Sequence, residues 1–184
     1  MLEKDMKEDF FWYLDSRHEK IRVMEEICID RSRADVVAVL PDMLVGYELK
    51  SNNDTYARLP MQTKYYDKFF NKNYLVVGES HEKNAHKHVP PYWGVICIPD
   101  VGNEIKVLRE AQDNPKMKMR WQLDLLWRSE LLNIQIKNGL YKYAGKRKLF
   151  VINYVMENIE ESLLRKQLCD ELFERDYDRL RLNS

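Results

Sequence analysis

Two β-branched runs, DVVAVL and MLVGYELK, flank Pro41-Asp42. Runs of this length and composition read as strands, and a Pro-Asp break between them reads as a turn, so the segment predicts a β-hairpin. The constraint lies in its charges, because Asp35, Glu48 and Lys50 occupy positions where apolar residues would cost less. Glu48 and Lys50 are two apart on a strand and project from one face, with Leu49 on the other. If the connection closes as a two-residue loop, or as a four-residue loop from Leu40 to Met43 in the same register, Asp35 falls directly across from Glu48. Opposed residues in an antiparallel pair have Cβ atoms about 4.5–5.5 Å apart, and like charges there are destabilising. Two carboxylates so placed need a cation. A hard divalent ion, Mg²⁺ or Mn²⁺, is held by such carboxylates together with a backbone carbonyl and waters. With Lys50 beside it to orient or deprotonate a water, this is a layout for metal-assisted phosphodiester hydrolysis. The plainer account makes Asp35 a turn cap and Glu48 a surface partner of Lys50 or Arg33, which contributes little.

The rest of the chain frames the hairpin. Phe10 to Arg22 predicts a short amphipathic helix with Phe11, Leu14, His18 and Ile21 on one side, and Glu26 to Asp30 a strand. Pro60 fits a first helical turn, so a helix is expected from Pro60 to Phe70. NYLVVGE and YWGVICIP are continuous apolar runs suited to a sheet interior, separated by the polar loop SHEKNAHKHVPP. VGNEIKVLREA predicts a turn and an edge strand. MRWQLDLLWRSELLNIQIKNGL predicts one long helix stopped by Gly139. Lys148 to Leu182 reads as helical, with a stripe of Ile152, Val155, Ile159, Leu163, Leu164, Leu168 and Leu172. This order gives an α/β fold, a mixed central β-sheet flanked by helices with a C-terminal helical extension. The expected division is an α/β domain over 1–140 and an extension over 141–184.

With 184 residues the chain suffices for one sizeable core. No apolar run approaches the roughly 18–20 residues of a membrane span, and MLEKDMKEDFFWYLDSRHEK is too charged for a signal peptide, so a cytoplasmic protein without a membrane partner is expected. Three scattered cysteines, Cys28, Cys97 and Cys169, suggest neither a disulfide framework nor a structural zinc site. With 30 basic and 30 acidic residues, overall charge does not announce a nucleic-acid binder, and any such contact needs a local basic patch. Three are candidates: Lys64, Lys68 and Lys72; Lys116, Lys118 and Arg120; and GKRK at Gly145 to Lys148. Each also reads as a solvated face.

RAD followed by GYELK resembles the Asp…Glu-x-Lys signature of the PD-(D/E)XK nuclease superfamily, and Gln62 with Tyr66 resembles the Gln-x-x-x-Tyr motif of many members. The literal Pro41-Asp42 is a decoy. A longer set, RAD at Arg33, GYELKS at Gly46, Asp54, Arg58, WG at Trp93 and LLWRSEL at Leu125, is similar to a small bacterial and phage-encoded branch of the superfamily and spans roughly Glu25 to Leu132. The resemblance implies a restriction-endonuclease-like core. It implies Asp35 and Glu48 as metal ligands, Leu49 offering its carbonyl, and Glu25 or, better placed, Glu26 completing the site. Lys50 would be the catalytic lysine and Gln62 would position water or backbone. Arg33, Ser51, Asp54, Arg58 and Tyr66 are the expected substrate-binding residues, with DNA the expected partner.

Other features read more plainly. His81, His86 and His88 share a loop, and a polar loop near substrate phosphate accounts for them better than a zinc site does. The tryptophans of WG and LLWRSEL read as core, and Arg128 and Glu130 as structural. Leu172, Phe173 and Leu180 would pack on the domain or on a second copy, so a homodimer is one of two expected outcomes. A second function class stands beside the nuclease: a catalytically silent protein that keeps the fold as a nucleic-acid-binding or regulatory module.

Overall fold

A computed structural model describes residues 3–100 and 104–176, with side chains from Met6 onward. The chain divides into two units, 1–118 and 119–184, so the predicted boundary at 140/141 falls inside the second.

The first unit is built on the hairpin. Helix α1 (Glu3–Arg17) leads into β1 (Arg22–Ile29), β2 (Ser32–Val39) and β3 (Leu44–Lys50), then α2 (Leu59–Phe69), β4 (Lys72–Gly78), β5 (Gly94–Ile98) and β6 (Lys106–Arg109). The six strands lie in sequence order in one sheet. β1, β2 and β3 run antiparallel, β3, β4 and β5 parallel, and β6 returns antiparallel to β5. A parallel step needs a crossover, and α2 supplies it between β3 and β4. The fold class is the mixed sheet flanked by helices that the element order predicts.

The hairpin closes through a Leu40 N–H to Met43 carbonyl bond of 2.9 Å, the four-residue loop. Val36 pairs with Tyr47 and Val39 with Leu44, the register that sets Asp35 against Glu48. Alternation then sorts the faces. Val36, Ala38, Val45, Tyr47 and Leu49 pack against Met6, Phe10 and Leu14 of α1. The opposite face, with Asp35, Gly46, Glu48 and Lys50, receives α2. Met6, Phe10 and Leu14 recur every fourth residue, which is why α1 starts before the predicted Phe10 and stops at Arg17. β1 likewise begins at Arg22, because its ladder with β2 runs from Arg22 opposite Val39 and pairing outweighs its mixed polarity.

The second unit holds α3 (Met119–Asp124), α4 (Arg128–Lys137), α5 (Lys148–Asn158) and α6 (Glu161–Glu174). The long helix predicted from Met119 is therefore two. Glu130 turns back to accept the Trp127 N–H at 2.6 Å, capping a new start, and Arg175 clamps Glu130 with bonds of 2.7 and 2.6 Å. Gly139 ends α4 as expected, at φ 64°, with Leu140 N–H bonding the Gln135 carbonyl. The C-terminal pattern also breaks, where the Glu160 side chain accepts Leu163 N–H. Its predicted stripe is buried except Leu163, which is exposed. Leu172 is buried, and Leu180 lies outside the described residues.

Gly46 is where α2 meets the sheet: a Cβ there would stand 2.3 Å from the Phe70 ring. Gly46→Ala is expected to destabilise the protein by about 1–3 kcal/mol, measured as a lower urea midpoint with an unchanged denaturant slope.

Candidate active site

The β2–β3 ladder ends one step short of Asp35 and Glu48, and a side chain takes over. Tyr66, fully buried on α2, accepts the Asp35 backbone N–H at 3.0 Å and donates its hydroxyl to the Tyr47 carbonyl at 3.1 Å. Burial, with the Glu48 and Asp35 charges, holds the Tyr66 hydroxyl well above its ordinary pKa, so it stays a neutral donor. Asp35 in turn accepts the Leu49 N–H at 2.8 Å through Oδ2. Strand backbone that would otherwise lack partners is thus satisfied by two side chains. Tyr66 is therefore a strut between the strands, and its complete burial corrects the expectation that it meets substrate.

Glu48 has no exposed surface. One carboxylate oxygen, Oε1, accepts from both Lys50 Nζ and Gln62 Nε2. Gln62 Oε1 also lies 3.4 Å from Lys50 Nζ, so three side chains from two elements close a ring of charge-assisted bonds. The other oxygen, Oε2, is buried and has no hydrogen-bond partner. This is the ion pair of the plainer account with the surface removed: Lys50 is itself buried. Asp35 is pushed up to about 7, first by burial and then by the Glu48 charge, against the Leu49 N–H and Lys50.

The remaining candidates separate. Glu26 takes a left-handed backbone, φ 56°, and its carboxylate is held by Lys7 of α1, at 3.2 Å, and by Arg33. These two cations neighbour Glu26, the expected third ligand, whose Oε2 is nevertheless buried without a hydrogen-bond partner, as Glu48 Oε2 is. Among the described residues no group of three or more His, Cys, Asp or Glu side chains is arranged to hold a metal. Ser51 is buried and gives both its N–H and hydroxyl to Asp54 Oδ2, at 2.7 and 2.6 Å. Burial opposes ionisation of Asp54, but the two Ser51 bonds with Lys50 and Arg58 outweigh it and lower its pKa. Ser51 and Asp54 together brace the exit of β3. Arg33 and Arg58 are exposed, Arg58 at the start of α2.

Sequence reasoning missed two neighbours. Lys7 lies on the first helix, with no spacing signal to connect it to Glu26. Tyr56 stacks on His88 at 3.9 Å and meets His81 edge-on at 4.9 Å, while His81 Nε2 lies 3.1 Å from the Ser51 carbonyl. The histidine loop is therefore packed against the end of β3 through Tyr56. Trp93 is core, as expected, with its N–H on buried Asp67 at 2.9 Å.

A family model described as Bacteriophage P4 protein cII matches residues 1–180. The chain belongs to this family. That agrees with the phage association its motifs imply. No curated protein and no solved structure matches the chain. Among the described residues of this family member, no helix is long and apolar enough to cross a membrane.

Two outcomes follow from the strut and the raised carboxyl. Tyr66→Phe leaves the Asp35 N–H and Tyr47 carbonyl without their partner and should cost about 1–3 kcal/mol, measured by urea unfolding. Asp35 binds its proton more tightly folded than unfolded, so its contribution is complete below about pH 4 and lost as pH rises through about 7. Stability should fall across that window, and Asp35→Asn should flatten the fall.

Proposed function

We propose that the protein is a metal-dependent nuclease of the PD-(D/E)XK type, acting on DNA. The observation that carries this is Glu48, wholly buried with Oε2 unpartnered, beside Asp35 and Lys50. A buried carboxylate oxygen without a donor costs free energy, and a cation is the partner that an acceptor-only group takes. Asp35, Glu48 through Oε2, and the Leu49 carbonyl would hold Mg²⁺ or Mn²⁺, hard ions that take oxygen ligands and keep waters. When bound, such an ion supplies positive charge against the negative charge a phosphodiester gains as a nucleophile adds.

The chain's own residues do the rest. Lys50, fixed by Glu48 and Gln62, presents an ammonium of set direction to the attacking water or to a phosphate oxygen. Gln62 positions it and keeps Glu48 Oε1 occupied. Tyr66 and Leu49 N–H hold Asp35 at the end of the ladder, so the two carboxyls keep their separation. Arg33 and Arg58 offer exposed guanidinium groups for backbone phosphates, the contacts that position rather than read a nucleic acid.

A second reading, a silent nucleic-acid-binding or regulatory module, is favoured by one observation. Asp35 Oδ2 and Glu48 Oε1 already have protein partners, and Glu26 is held by cations.

The test is calorimetric titration of Mn²⁺ into wild type, Glu48→Gln and Lys50→Ala, followed by incubation of each with plasmid and single-stranded DNA. Wild type should bind metal and cleave, Glu48→Gln should lose metal, and Lys50→Ala, compared at a temperature where circular dichroism shows it folded, should cleave on the order of 10²-fold or more slowly. Because Asp35 must lose its proton to serve as a ligand, affinity should rise with pH up to about 7 and level off above it. Undiminished cleavage by Lys50→Ala sinks the mechanism, and absence of metal binding in wild type moves the silent module to the front.

A further inference from the structure

The helical unit carries a charge asymmetry that the active site does not use. Between Leu131 and Met156 the sequence has five Lys or Arg residues and no Asp or Glu, in a chain whose overall charge is balanced. Two of the five are already matched: Lys137 pairs with Glu171 at 2.8 Å and Lys148 with Asp124 at 3.1 Å. The other three, Lys142, Lys146 and Arg147, crowd the exposed connection between α4 and α5. Lys142 and Arg147 have no ion-pair partner among the described residues.

Aromatic rings interleave with these cations. Tyr143 is the hub, edge-on to Tyr141 at 4.7 Å, Phe150 at 5.0 Å and Tyr154 at 4.9 Å. Tyr141 is 68% exposed and Phe150 42%. Lys146 Nζ lies 5.3 Å from the Phe150 ring centre. The connection is also fixed in place. Arg128 donates to the Ala144 and Lys146 carbonyls at 2.9 and 2.7 Å, and Tyr143 N–H bonds Gln135 Oε1 at 3.1 Å. A cleft of about 200 Å³, lined by Arg128, Leu131, Gln135, Tyr143 and Val151, opens at its base. That is smaller than the sites that take drug-sized ligands and suits one flat ring.

We propose that this connection binds single-stranded nucleic acid, with Lys142, Lys146 and Arg147 on the phosphates and the exposed Tyr141 ring stacking a base. Cations alone would serve any acidic surface. Cations alternating with ring faces left in water match a single strand, whose bases are free to stack, whereas a duplex hides them. Rigid support for the connection lowers the ordering cost of binding. The proposal stands apart from the nuclease reading, since its residues hold no metal and perform no chemistry.

The experiment is fluorescence polarisation of the full chain in EDTA, so that nothing is cleaved, with labelled oligothymidylate, oligouridylate and a DNA duplex over a salt series. The two single strands separate a DNA from an RNA preference. Wild type should bind a single strand more tightly than the duplex. The triple variant Lys142→Ala, Lys146→Ala, Arg147→Ala should bind at least about tenfold more weakly, with a log–log salt slope shallower by about 2, near 0.7 per lost phosphate contact. Tyr141→Ala should lose roughly fivefold or more with its salt slope kept. All four side chains are exposed, and unchanged circular dichroism and melting midpoints accompany the expected result. Binding is read in EDTA, with no metal and no turnover, so a failed nuclease reading would leave this readout untouched. Equal affinity and slope in the triple variant, or a duplex bound as well as a single strand, would overturn the proposal.

Discussion

The Tyr66 hydroxyl is the contact on which the site depends. Where the β2–β3 ladder ends, each missing bond strands a donor and an acceptor. One phenol resolves this by accepting from Asp35 on β2 and donating to Tyr47 on β3. It reaches that position because α2 crosses over the charged face of the hairpin, and α2 lies close because Gly46 leaves room for Phe70. Fold and site are therefore coupled through one glycine and one tyrosine.

Burying Glu48 and Lys50 together has its own logic. An isolated charge in that position would be far more costly than a paired one, and Gln62 supplies the extra bond that an ion pair in a low dielectric requires. The arrangement satisfies one carboxylate oxygen and leaves the other bare, while Asp35 is half neutralised near pH 7 by its surroundings. A carboxyl perturbed by its surroundings, as Asp35 is, is a common feature of functional sites. The helical unit handles its buried charge differently. Glu130 and Arg175 satisfy one another in a two-pronged pair, with the guanidinium carbon 4.4 Å from the Trp127 ring centre, and nothing is left over.

Much of this was legible along the chain. Hairpin, register and faces followed from alternation around Pro41-Asp42, and Gln62 fell near Glu48 because a helix starting at Pro60 turns that residue inward. Other features were not legible for a common reason. The break between α3 and α4 depends on Arg175, 45 residues from the glutamate it clamps, and the apolar spacing continues across the break as if nothing happened. The Lys7 partner of Glu26 was not foreseen because it lies on a helix whose start was read too late. The bonds from Ser51 to Asp54 Oδ2 were likewise not legible, because they depend on how the chain turns after β3.

The sequence by itself determined the hairpin and the two interior strands, the side of the sheet on which Asp35, Glu48 and Lys50 lie and the acid-free, aromatic-rich stretch near the C-terminus, because these follow from backbone periodicity and composition. Only the tertiary structure decided which carboxylates are spent and which are bare. Glu26 gains Lys7 as a partner, Asp35 is raised by burial, and Glu48 lies wholly buried with one oxygen unpartnered. Desolvation and partner choice depend on which distant segments pack together, and no local pattern records that.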